Sequence, residues 1–178
     1  MQVFELLTSA DERANVAFAS DALAREVYPL FDGEPLRRPW RTARVVPADE
    51  RVLARTLNDM CVWGTVPVFS SRAALALDRV LRAYGELLPL SSSAGELYAY
   101  NVTTMRNALV ESESLVRRFT DGGIMSIERY VLDAAVIGEA AVFKIPQQRR
   151  SHVFVTDAFK TLVLESKLSG FEWRAIWP

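Results

Sequence analysis

Apolar and polar positions along the chain trace one outline twice. Val68-Phe69-Ser70-Ser71, an apolar helical run and a closing Gly85 recur without a gap from Val153 to Gly170, an offset of 85 residues counted from 68 to 153. At that offset Val68/Val153, Phe69/Phe154, Ala73/Ala158, Leu77/Leu162 and Gly85/Gly170 are identical, Ser71 meets Thr156, and Arg82 meets Lys167. Each copy predicts a short strand, a hydroxyl that caps free N–H groups, about four helical turns, a glycine suited to positive φ, and an apolar segment. Segments 68–90 and 153–177 are therefore read as an internal repeat, with Phe69, Phe154, Leu77 and Leu162 in the core.

Outside the repeat, residues 2–7 alternate weakly and predict an edge strand, and Asp21–Val27 predicts a helix capped by Ser20. Pro29, Gly33, Pro35, Pro39 and Pro47 then allow only an extended, wandering connection. Residues 50–58 predict a short helix with Val52, Leu53 and Leu57 on its apolar side, and residues 63–67 lead into the first repeat unit. Strands at 86–90 and 96–102, joined by the small-residue loop 91–95, read as a hairpin; Tyr98, Tyr100 and Val102 share one face of the second strand, Leu97, Ala99 and Asn101 the other. Further strands are expected at 124–132 and 140–145, with a helical turn at 133–137 between them. The last strand places Phe171, Trp173 and Trp177 on one packed face. Strands outnumber helices, so the class is α+β: a single domain over residues 1–178, built on two similar strand–helix–strand units with a mixed or antiparallel sheet, a two-lobed arrangement being the alternative.

Composition narrows the function classes. A chain of 178 residues, half apolar and a quarter charged, buries one sizeable core. No run of about 18 apolar residues exists, and no basic stretch precedes the first apolar residues, so neither membrane span nor signal peptide is expected. The lone Cys61 excludes an intramolecular disulfide and fits a reducing, cytoplasmic setting. With 21 basic against 22 acidic residues there is no general attraction for nucleic acid or anionic lipid.

Candidate chemistry is sparse. His152 is the only histidine, so a Ser-His-Asp or Cys-His arrangement requires distant segments to converge on it; an ordinary surface or hydrogen-bonded histidine is the simpler expectation. One cysteine and one histidine cannot fill a zinc shell without two carboxylates, so no metal and no cofactor are expected. Glu111 and Glu113 are paired carboxylates without a pocket signal, hence a solvated face, and secondarily a contact for a basic surface. Gly122-Gly123 lacks the spacing of a phosphate cradle and reads as a turn. Arg37-Arg38-Pro39-Trp40-Arg41 has the composition of an interface hot spot or a base-stacking patch, although a structural Trp40 overlaid by arginine stems is the simpler account.

Several segments occur in a telling order. Phe31-Asp32-Gly33-Glu34-Pro35-Leu36 with Trp40, then Tyr98-Ala99-Tyr100-Asn101-Val102, then Ala141-Val142-Phe143-Lys144-Ile145, precede Val153-Phe154-Val155-Thr156-Asp157-Ala158-Phe159-Lys160 and Leu168-Ser169-Gly170-Phe171-Glu172-Trp173. In this order they resemble a bacterial family of immunity proteins found beside polymorphic toxins, of the immunity protein family eleven type. One departure is Leu109-Val110, where the family tends to place Leu-Asp. The resemblance implies a non-enzymatic protein that binds a cognate protein toxin encoded nearby and neutralises it by stoichiometric occlusion; Arg37, Arg38, Trp40, Glu111 and Glu113 are the candidate toxin-binding residues. The alternatives are a small carboxylate-dependent enzyme, which needs a pocket with two convergent titratable groups, and a nucleic-acid or regulatory binding module, which needs a contiguous arginine stripe. The homo-oligomeric state leaves no signal in the sequence.

Overall fold

A computed structural model describes residues 1–11, 15–53, 56–93 and 95–178. The first half carries β1 (Val3–Thr8), β2 (Val16–Phe18), α1 (Asp21–Val27), β3 (Ala43–Pro47), β4 (Met60–Trp63), β5 (Val66–Ser70), α2 (Ser71–Ala76), α3 (Asp78–Tyr84), β6 (Gly85–Ser92) and β7 (Gly95–Val102). The second half carries β8 (Leu115–Arg118), β9 (Ile124–Arg129), α4 (Ala134–Ile137), β10 (Val142–Phe143), β11 (Phe154–Thr156), α5 (Asp157–Glu165) and β12 (Phe171–Trp177). Strands dominate and helices are short, so the class is α+β, as expected.

Six strands form a mixed sheet in the order β2-β3-β6-β7-β5-β4, in which β3 and β6 are parallel and all other neighbours antiparallel. The sheet curls until its ends meet, since Asn15 beside β2 bridges Val62 of β4. All six strands contribute to one core cluster, among them Phe18, Val45, Cys61, Val68, Leu90 and Ala99, which the curl encloses as a small barrel encloses its interior. α1 lays Val27 against the same cluster, and Ser20 Oγ accepts from Leu23 N at its start, the predicted cap.

The second sheet has the order β10-β11-β1-β12 and is antiparallel throughout. In each sheet a strand–helix–strand unit is split by one antiparallel strand: β5 and β6 flank β7 and are joined by α2 and α3, while β11 and β12 flank β1 and are joined by α5. Both crossovers bury their apolar sides in one shared cluster, where Ala73, Leu77 and Leu81 meet Phe159 and Val163 against Phe69, Val155 and Phe4. A third cluster backs the second sheet, where Leu132, Ile137 and Phe143 from the segment between the two units meet Phe154 of β11.

The two units share their order of elements, but structurally equivalent residues lie 86 apart rather than 85. The N-cap positions 70 and 156, the core positions 69/155, 73/159 and 77/163, and the first residues of the closing strands, 85 and 171, all show this spacing. Leu162, expected in the core, is accordingly 42% exposed, and Val163 fills the position. Phe154 is buried but on the far side of its sheet from Phe69's cluster. Ser70, not Ser71, caps α2 by accepting from Ala73 N at 3.1 Å, and Thr156 holds the N-cap position of α5 without a side-chain bond. Gly85 is extended at φ −178°; glycine fits there because a Cβ would lie 2.3 Å from the Asn101 carbonyl oxygen.

Other departures have local causes. β1 is interior rather than an edge; Val3, Phe4, Glu5 and Leu6 are all buried, which erases the alternation that would have revealed it. The helix expected at 50–58 is replaced, in its described residues, by a turn in which Asp49 Oδ1 accepts from Arg51 N at 2.9 Å; positions 54 and 55 lie outside the described residues. The connection after Pro29 contains β3, and the 91–95 loop tightens between β6 and β7, position 94 lying outside the described residues. Phe171 and Trp173 pack on the shared cluster, yet a bulge between the Phe4/Ala175 and Val3/Trp177 pairs turns Trp177 to the opposite face.

One polar clamp ties the two units together. The buried Asp59 carboxylate accepts from Ser70 Oγ (2.8 Å), Arg72 (2.6 Å) and Ser169 N (3.0 Å). Arg72 also donates to the carbonyls of Ser166 and Lys167, free C=O groups at the end of α5.

Candidate functional site

The segment carrying Arg37, Arg38 and Trp40 follows α1 through a 3-10 turn over Tyr28–Leu30 and enters the sheet at β3. Its first half is pinned by side chains of β6, β7 and the turn that follows β10. Leu36 N donates to the Glu86 carboxylate at 3.1 Å, and Asn101 Nδ2 donates to both Glu34 O and Glu86 Oε2 at 2.9 Å. Arg149 donates to Asp32 O at 2.7 Å and to Glu34 Oε1 at 3.0 Å, while the buried Lys144 donates through Nζ to Arg149 O at 2.8 Å. In the sequence Asn101 and Lys144 stand out only as members of the 98–102 and 141–145 segments. Their shared task, holding this loop, is invisible without the long-range pairing.

Lys144 registers its burial. Desolvation, opposed by Asp32 and reinforced by Arg149, pushes its ammonium down to about 8. Between about 8 and its ordinary 10.5 the unfolded chain holds more protons than the folded one, so this group makes stability rise with pH over that interval. Lys144→Met is expected to remove that component. Urea midpoints across the interval check it: wild type should gain stability relative to the variant as pH climbs, and a constant difference would contradict it.

The second half of the loop forms one wall of a cleft of about 440 Å³ against α1. Trp40 is the anchor expected of it: its indole N–H donates to Pro89 O at 2.7 Å, and its ring meets Phe31 edge-on at 6.2 Å. Leu23, Val27, Leu30 and Leu36 complete an apolar floor, with Glu26, Arg38 and Arg41 on the rim. Arg38 reaches Glu26 at 3.4 Å with both side chains more than half exposed, whereas Arg37 and Arg41 make no ion pair among the described residues.

Glu111 and Glu113 sit at the base of the β8–β9 hairpin. Glu111 is engaged by Arg118 and accepts from Gln147 Nε2 at 3.0 Å, and Glu113 O accepts from Arg129 at 2.9 Å. The 146–149 turn thus touches the Glu111 patch through Gln147, and through Arg149 it reaches Glu34, in the loop that carries the other patch. Gly122-Gly123 is the hairpin's turn, with Gly122 at φ +87°.

His152 is hydrogen-bonded, as expected, but to a partner the sequence did not suggest. Its Nδ1 lies 2.5 Å from Oε1 of buried Glu5, whose other oxygen takes Arg174. Burial alone would raise the Glu5 carboxyl; hydrogen bonds and charge from His152 and then Arg174 outweigh it and leave the group below its ordinary value. A cleft of about 300 Å³ borders this pair, lined also by Thr8, Thr65 and Ser151. An oriented imidazole needs a nucleophile, and among the described residues Ser151 Oγ donates to Gln148 O and Thr65 Oγ1 to Arg150 O rather than to the ring. Burial holds the Cys61 thiol up at about 12, which suppresses the reactive thiolate. Among the described residues no three His, Cys, Asp or Glu side chains converge as a metal site, and no helix is long and apolar enough to cross a membrane.

A family model described as Immunity protein family (Imm11) matches residues 88–177, from the middle of β6 to the end of β12. No curated protein matches the chain.

Proposed function

Because the chain belongs to the Immunity protein family (Imm11), whose model spans residues 88–177 of 178, we infer that it binds a cognate toxin and neutralises it by stoichiometric occlusion. The toxin is the product of a neighbouring gene in a polymorphic toxin system, and the complex forms in the cytoplasm. Inhibition covers the toxin's active site or locks its conformation. Family membership carries this reading; the arrangement of the surface supports it. A tight complex needs roughly 800 Å² on each partner. This is less than a tenth of the 9619 Å² exposed here. Two patches serve as the contact: the Arg37-Arg38-Trp40 loop, and Glu111 with Glu113 at the hairpin base.

The Glu5–His152 pair beside its cleft is the one observation that favours an enzyme. Glu5, however, is held below its ordinary value by His152 and Arg174, which suits an ionised acceptor better than a proton donor. Calorimetry of the purified protein with the neighbouring gene product is expected to show an equimolar complex, and His152→Ala and Cys61→Ala are expected to bind and protect like wild type at equal fold stability. Absence of a complex contradicts the reading; a His152→Ala variant that still binds but no longer protects turns it toward catalysis.

A further inference from the structure

We propose that the cleft between α1 and the 36–41 loop receives an apolar side chain of the toxin flanked by carboxylates. This rests on the immunity reading and names the chemistry of its contact. The floor is apolar, formed by Leu23, Val27, Leu36 and Trp40. At about 440 Å³ the space lies toward the small end of ligand pockets, so it admits one or two side chains rather than a helix or strand.

Charge selects what flanks that side chain. Three arginines, Arg37, Arg38 and Arg41, stand at or beside the rim against the single Glu26. The Arg38–Glu26 pair is long and exposed and therefore weakly held, and the other two arginines make no ion pair among the described residues. The chain as a whole carries a formal charge of −1, so this positive rim is a local feature. Guanidinium groups matched to carboxylates on an incoming segment gain both steering and bidentate hydrogen bonds.

Preorganisation favours the same role. Trp40 is fixed by Pro89 O and Phe31, and the loop before it by Glu86 and Asn101, so docking orders few side chains. A rigid aromatic wall with arginines around it is the composition of a binding hot spot.

The test uses the neighbouring gene product and two variants, with calorimetry at low and high salt. The double variant Arg38→Glu/Arg41→Glu is expected to bind roughly thirty-fold more weakly at low salt, with the gap to wild type narrowing as salt rises. Glu26→Gln, which removes the rim's one acid, is expected to bind about threefold more tightly, a gain that damage to the fold cannot imitate. If the double variant binds like wild type, the cleft assignment is overturned and the immunity reading stands. If wild type itself forms no complex, both fall.

Discussion

Replacing Gly170 with valine is expected to lower the unfolding free energy by about 4 kcal/mol, and the thermal midpoint by roughly 10 °C. Gly170 has φ +85°, where a β-branched residue is strained, and a Cβ there would lie 2.3 Å from Met60 O and 2.6 Å from Asn58 Cβ. Relief requires β4 to move, yet Met60 N donates to Ser169 O at 3.1 Å and Ser9 N to Gly170 O at 3.0 Å, so movement breaks the seam between the two sheets. Gly122→Ala separates the two causes, because Gly122 has φ +87° with nothing within 4 Å of its Cβ position. It should cost only about 1 kcal/mol, the backbone term alone. Equal melting of Gly170→Val and wild type would contradict the packing at this joint.

The second large effect is expected at the clamp. Asp59→Ala should cost about 3 kcal/mol, since it strips the partners from Ser169 N and Ser70 Oγ in a part-buried setting. Arg72, whose side chain is 58% exposed, can rehydrate, so Arg72→Ala should cost about 1 kcal/mol at most. Chemical denaturation of both variants gives the comparison. An Asp59→Ala loss no larger than that of Arg72→Ala would mean that the carboxylate does not join the two units.

Local signals in the sequence translated well where local physics decides. Ser20 before α1, the helical turn at 133–137 and the alternation of β7 are effects within a few residues, and all three are found where expected, α4 with Asp133 as its N-cap. The repeat shows where such reading stops. Five identities at an offset of 85 were compelling, but cap and core positions settle at 86, because α2 is capped by Ser70 and α5 begins after Thr156. Burial on both faces hid the interior place of β1, and a bulge turned Trp177. Trp40 was legible as an anchor from its surroundings, whereas its partner Pro89 O lies 49 residues away. The Glu5–His152–Arg174 group spans up to 169 residues and leaves no periodic trace.

The central claim is neutralisation by stoichiometric binding, and titrating toxin activity with this protein tests it most directly. The account expects residual activity to fall linearly and to break at one equivalent, with no further protection on longer incubation. Protection at far less than one equivalent, growing with time, would show turnover and contradict it.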